Sequence, residues 1–141
     1  MTIRAILQSK GQEIISIYAG AVVSDAIALL AEKRIGALPV LAGGQVVGVF
    51  SERDVIYSLA SGGPGSVGKA VEEVMTTPAV TVEPTMPVLS ALSLMTQRRI
   101  RHLPVEDGGR LIGFVSIGDL VKYRIERIES EASALRAYIT S

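Results

Sequence analysis

The chain has 141 residues, with 14 basic and 14 acidic side chains, one histidine and no cysteine. Zero net charge excludes a global field for nucleic acid or an anionic membrane. The missing thiols exclude disulfides, thiolate metal sites and a cysteine nucleophile.

The opening MTIRAILQSKGQEI has neither a long apolar core nor a small-residue cleavage site, and no run of eighteen apolar residues occurs. The expectation is therefore a cytoplasmic protein without a membrane span. At this length about 68% of the unfolded chain's surface can be buried without a metal or disulfide staple.

IISI (14–17), with Ile15 and Ile17, is a short apolar strand candidate. A helix follows, because Val23, Ala26, Ile27 and Leu30 recur at i, i+3, i+4, i+7. ALPVL (37–41) reads as a strand and Gly43-Gly44 as a hairpin turn, since glycine tolerates positive φ at both central positions. VVGVF (46–50) returns, and a second helix begins at Ser51.

SGGPGS (61–66) is a turn-rich linker that runs on into Gly63-x-Gly65-x-x-Gly68. That spacing matches the dinucleotide fingerprint, but a helical stretch, VIYSLA, precedes it where the fingerprint needs a strand, and Pro64 interrupts it. Phosphate binding is not expected there.

The same elements then return. AVTV (79–82), with Val80 and Val82, is a strand candidate, and Val88, Ala91, Leu92 and Met95 mark a helix that Pro87 introduces. HLPVE (102–106), Gly108-Gly109 and LIGFV (111–115) make a second hairpin, and another helix starts at Ser116. It continues over roughly residues 119–139, with Val121, Ile125, Ile128, Ala132, Leu135 and Ile139 spaced as a narrow seam suited to pairing with another chain.

The chain is thus a repeat. RIGALPVLAGGQVVGVFSERDV (34–55) lies on RIRHLPVEDGGRLIGFVSIGDL (99–120) without a gap. Such duplication argues for two supersecondary units that cover each other's apolar faces. The fold expected is mixed α+β, two tandem β-α-β-β-α units with pseudo-twofold symmetry and a long C-terminal helix. The divisions expected are 1–61, a Gly-rich linker 62–70, 71–125 and a helical tail 126–141.

Ser51-x-x-Asp54 and Ser116-x-x-Asp119 fit a capping box, in which serine and an acid three residues on bond reciprocally to helix-start amides. Their recurrence after a glycine-containing strand suggests more. Helix starts attract phosphate, a carboxylate suits a ribose diol, and glycine lets a ligand approach the backbone.

With R-I-x-x-L-P-V, the Gly-Gly turn and G-h-h-S-x-x-D in both copies, the chain resembles a tandem pair of cystathionine-β-synthase-type (CBS) domains, a Bateman module, over about residues 1–125. The resemblance implies two clefts between the repeats that take adenine nucleotides: AMP, ADP, ATP or NAD(H). It places Asp54 and Asp119 on the ribose hydroxyls and Ser51 and Ser116 near ribose or phosphate. Gly36-Ala37 and Arg101-His102 fall at the phosphate end, and Ile15, Ile17, Val80 and Val82 along the adenine. Arg53 and Arg101, the cations inside the motifs, are expected to neutralise phosphate. Lys10, before the first strand, reads as a solvated surface charge, with contact to a phosphate as the alternative.

The resemblance also implies a homodimer formed through the second helices, burying Val55, Ile56, Leu59 and Leu120. The module would signal through repacking of repeats or dimer to a separate regulated protein. The alternatives are a structural dimerisation protein with vestigial clefts and an S-adenosylmethionine sensor. Catalysis is not expected, nor a catalytic cofactor or metal site: there is no dense carboxylate cluster and only one histidine. The cluster Arg98, Arg99, Arg101, His102 does not make a nucleic-acid patch in a balanced chain with 4% aromatic residues.

Overall fold

A computed structural model describes residues 1–11 and 13–140. The two β-hairpins carry the duplication most plainly. In the first, β2 (Ala37–Ala42) pairs antiparallel with β3 (Gln45–Ser51), with Ala37 opposite Ser51 and a register shift after Val40. In the second, β4 (His102–Asp107) pairs with β5 (Arg110–Ser116), with His102 opposite Ser116 and the shift after Val105. Both turns put two glycines at positive φ, 57° and 78° for Gly43 and Gly44, and 60° and 80° for Gly108 and Gly109. This is the type I′ geometry that matches strand twist.

Each hairpin is preceded by an eleven-residue helix, α2 (Val23–Lys33) or α5 (Val88–Arg98). Both end on an arginine in the left-handed region at φ 54°, Arg34 and Arg99. Val23, Ala26 and Leu30 of α2, and Val88, Ala91 and Met95 of α5, are buried as their spacing predicts.

The first strands are shorter than expected. Only Ile17–Tyr18 (β1) pairs, parallel to β2 through Ile17 and Val40. Its counterpart is a single parallel bridge from Val82 to Val105, fixed by Val82 N–H to Pro104 O (3.0 Å) and Glu106 N–H to Val82 O (2.9 Å). Ile15 and Val80 lie on the margins of the two cores rather than in strands. α3 (Glu52–Gly62) and α6 (Ile117–Thr140) follow the hairpins. After α3, Gly63 and a 3₁₀ turn (Pro64–Gly68) replace the strand–loop–helix context that a dinucleotide fingerprint needs.

Two short elements were not expected. α1 (Ile3–Lys10) precedes the first repeat, yet its Ile3 and Ile6 are buried in the second repeat's core with Val88, Met95, Leu103, Val115 and Leu120. α4 (Val71–Val74) precedes the second repeat, yet Val71 is buried in the first core with Val23, Leu38, Val40 and Phe50. The two are anchored alike. Ile3 N–H and Arg4 N–H donate to Met86 O and Pro84 O, and Val71 N–H and Glu72 N–H donate to Ala21 O and Ala19 O, at 2.8–3.0 Å. Neither repeat closes its own core; each is completed by the segment that leads into the other.

This crossing explains the motif glycines and corrects one expectation. A Cβ at Gly48 would lie 2.6 Å from Met75 Sδ and 2.7 Å from Thr76 O, and one at Gly113 would collide with the Leu7 side chain. The glycines make room for crossing protein segments, not for a ligand. Leu120 is likewise not an interface residue: it is fully buried in its own core, whereas Ile56 and Leu59 are 63% and 41% exposed.

Candidate functional site

The second S-x-x-D turn sits where α6 leaves β5. Ser116 N–H donates to Asp119 Oδ2 (2.8 Å) and Asp119 N–H donates to Ser116 Oγ (3.0 Å), a reciprocal capping box. Lys10, at the end of α1, reaches the same carboxylate. Its ammonium donates to Asp119 Oδ2 at 2.7 Å and to Phe114 O at 2.7 Å. Lys10 is therefore an anchored partner of Asp119 rather than the freely solvated charge expected. Asp119 Oδ1 has no protein hydrogen bond among the described residues, and the side chain keeps 28% of its exposure. Burial alone would raise the Asp119 pKa; the hydrogen bond and charge of Lys10, with hydrogen bonds from the Ser116 amide and side chain, outweigh it and hold the carboxyl below its ordinary value.

His102 joins this group from the start of β4. Its ring stacks on Phe114 with centroids 5.5 Å apart and planes 13° from parallel. Burial lowers its pKa below the ordinary imidazole value; the Asp119 charge opposes the shift, and the Lys10 and Arg101 charges add to it. The imidazole is thus neutral at pH 7 and lies among Asp119, Lys10 and Arg101. It also faces the first repeat, because a Cβ on Gly36 would come 3.7 Å from His102 Cε1 and from Glu52 Oε1. Gly36, Arg101, His102, Ser116, Asp119 and Lys10 therefore converge from both repeats. A cavity of about 300 Å³ between α1 and α6, lined by Ile6, Ser9, Lys10, Asp119, Lys122, Tyr123 and Glu126, shares only Lys10 and Asp119 with this group.

The first turn is built differently. Asp54 is 7% exposed. Its Oδ2 accepts the Ser51 amide (2.8 Å) and the Ser51 hydroxyl (3.1 Å), and its Oδ1 accepts the Thr76 hydroxyl (2.9 Å). Thr76 is held in turn by backbone bonds with Val49 in both directions, 2.9 and 3.0 Å. The Arg53 guanidinium reaches across to Arg99 O (3.2 Å), so it ties α3 to the end of α5. Ala37 is buried opposite Ser51.

The aliphatic candidates belong to the two cores or their margins. Ile15 and Ile17 pack against the first core; Val80 lies against the second, in which Val82 is buried. The second cavity, about 290 Å³, lies between the hairpin ends and is lined by Ile14, Ser16, Leu41, Gly44, Arg110 and Leu111. From sequence, Ile14 and Ser16 belong to the first strand candidate and Gly44 to the hairpin turn, with no cavity expected between them and Arg110; Thr76 was not singled out. Among the described residues no cluster of His, Asp and Glu could hold a metal, and no helix is long and apolar enough to cross a membrane.

The chain is similar in sequence and in fold to known proteins. The chain is 37% identical over 122 residues to the CBS domain-containing protein CBSX3, mitochondrial, of Arabidopsis thaliana, covering 83% of this chain and 59% of that protein. It is 36% identical over 114 residues to YhcV of Bacillus subtilis, covering 80% and 79%. Among solved structures, a putative signal-transduction protein with CBS domains from Burkholderia ambifaria superposes with a TM-score of 0.84 at 43% identity, over 89% of this chain and 95% of that one. CBSX2 in complex with AMP gives 0.74 at 27%, over 89% and 96%. The CBS domain pair of MJ0100, in complex with 5′-methylthioadenosine and S-adenosyl-L-methionine, gives 0.77 at 25%, over 87% and 98%. The CBS domain model matches residues 4–61 and again 71–126, and the chain belongs to the CBS-domain family as a tandem pair.

Proposed function

We propose that the chain is a regulatory module that binds an adenine nucleotide in the cleft containing Asp119, and that it senses rather than transforms its ligand. The observation that carries this reading is the state of Asp119: ionised, fixed by its capping amide, still partly open, and with Oδ1 unclaimed among the described residues. A carboxylate so placed accepts hydrogen bonds from a cis-diol. Lys10 and Arg101 supply cations for phosphate, and Gly36 leaves backbone accessible opposite His102. The likeness to a protein crystallised with AMP supports the ligand class. AMP, ATP and NAD(H) share the adenosine that this site would hold, and the likeness to the MJ0100 pair keeps S-adenosylmethionine among the ligands to test.

The Asp54 cleft is the weaker one in this reading, because Thr76 and Ser51 already occupy that carboxylate. The same observation favours a second reading, in which the clefts are vestigial and the chain acts by association alone. A thermal-shift series with AMP, ADP, ATP, NADH and S-adenosylmethionine separates them, since a ligand that binds only the folded state raises the melting temperature. The sensor reading expects a rise with at least one ligand that disappears in Asp119→Asn. No rise with any of them would overturn it.

A further inference from the structure

Beyond Arg124, every described residue of α6 is exposed. Yet Ile125, Ile128, Leu135 and Ile139 on that stretch are 49%, 48%, 59% and 72% exposed, and Val121 just before it 41%. With Ala132 these residues keep the 4, 3, 4, 3, 4 spacing of one continuous stripe. Leu120 and Tyr123, which seat α6 in its own core, stand on a different face, so the stripe points away from the domain. A helix extending this far without packing is marginal in water.

We propose that the stripe pairs with the same stripe of a second copy as a parallel, in-register two-stranded coiled coil. The charges select both occupant and direction. With Val121, Ile128 and Leu135 at d and Ile125, Ala132 and Ile139 at a, the flanking g residues include Arg124 and Glu131, and the e residues are Lys122, Glu129 and Arg136. In a parallel pair each g residue faces the e residue of the next heptad in the other chain. Arg124 then meets Glu129 and Glu131 meets Arg136, each twice by symmetry.

An antiparallel pair that keeps the whole stripe overlapped sets residue 125 opposite 135. Lys122 then faces Arg136, Glu129 faces its own copy, and so does Glu131: like charges on both flanks. Among the described residues of the tail the charge pair Arg127–Glu131, at 3.9 Å, is long and exposed, and leaves Glu131 able to turn to the second chain. Two parallel tails place the two second repeats side by side, head to head. This proposal stands apart from the nucleotide reading.

The absence of cysteine makes the test clean. Under mild oxidation of the full chain, Leu135→Cys alone should cross-link to itself in high yield, because in-register d positions fall within disulfide reach. A mixture of Ile125→Cys and Leu135→Cys chains should give no mixed product. Mixed product without self-linking of Leu135→Cys would overturn the direction. No cross-link in either sample, with a monomer mass by light scattering, would overturn the pairing. Arg124→Glu should weaken the dimer about tenfold, and adding Glu129→Arg should restore it. An unchanged dissociation constant in Arg124→Glu would contradict the selection by charge.

Discussion

Asp54 and Asp119 occupy the same place in the repeat but not the same environment. Asp54 is 7% exposed, and both of its oxygens are taken by uncharged donors of its own chain. Asp119 is paired through one oxygen with Lys10 and keeps the other clear of the described residues. The difference comes from the crossing segments. Thr76 enters the first turn as a backbone neighbour of Val49, and Lys10 enters the second as a long, flexible side chain. One insertion seals a carboxylate into the structure; the other leaves it reachable. A duplicated fold can thus divide its roles by changing residues outside the duplicated motif.

The glycines beneath those segments give the strongest contrast. Gly48→Ala would press on the Thr76 backbone, which cannot rotate away, and should cost about 3 kcal/mol of stability. Gly113→Ala presses on the tip of Leu7, which can turn, and should cost about 1 kcal/mol. Urea denaturation of both variants tests the order, and equal losses would mean that the two crossings are mechanically alike.

The next effect is on binding. Asp119→Asn should weaken AMP about 30-fold, from roughly 2 kcal/mol for hydrogen bonds to a charged acceptor, as measured by calorimetry. Smaller again is Thr76→Val, which removes one hydroxyl donor from Asp54 and should cost about 1 kcal/mol. If Thr76 is what closes the first cleft, this variant gains a second, weak equivalent of AMP; an unchanged stoichiometry would acquit Thr76.

The pH dependence is the least of these. His102 has a folded pKa below the usual value of about 6.5. Its contribution is therefore present above pH 6.5 and lost as pH falls through the lowered value. Asp119, held below 3.8, contributes above that pH and loses its contribution only at lower pH. Between pH 7.5 and 5.5 the stability read from urea denaturation should fall slightly, by less than about 1 kcal/mol given the partial exposure, and His102→Gln should flatten the change. A fall as steep in His102→Gln as in the parent would remove His102 from the account.

Much of this architecture was legible because it is local. Gly-Gly turns, three-residue serine–aspartate spacing and helical periodicity each act within a few residues, and each appears twice. The crossing was not legible. Lys10 and Asp119 stand 109 positions apart, and Thr76 and Asp54 meet only because α4 folds back on the first repeat. The segments before the two first strands share only an apolar spacing, Ile3, Ile6, Leu7 and Val71, Val74, Met75. It is out of step with the offset of the rest of the repeat, so sliding the chain by that offset does not align them. A signal for α1 was present in the helical spacing of Ile3, Ile6 and Leu7, but nothing local says which core receives them. The strand candidates IISI and AVTV were read from apolar content, yet only Ile17, Tyr18 and the Val82 bridge find pairing partners. The neighbouring aliphatic side chains are buried by packing instead.

The central claim is that the two clefts differ, with Asp119 competent and Asp54 closed. Calorimetric titration of AMP into the parent chain, Asp119→Asn and Asp54→Asn tests it most directly. The account predicts one equivalent per chain in the parent, largely lost in Asp119→Asn and changed less than about threefold in Asp54→Asn. Two equal equivalents in the parent, or loss of binding in Asp54→Asn with Asp119→Asn intact, would contradict it.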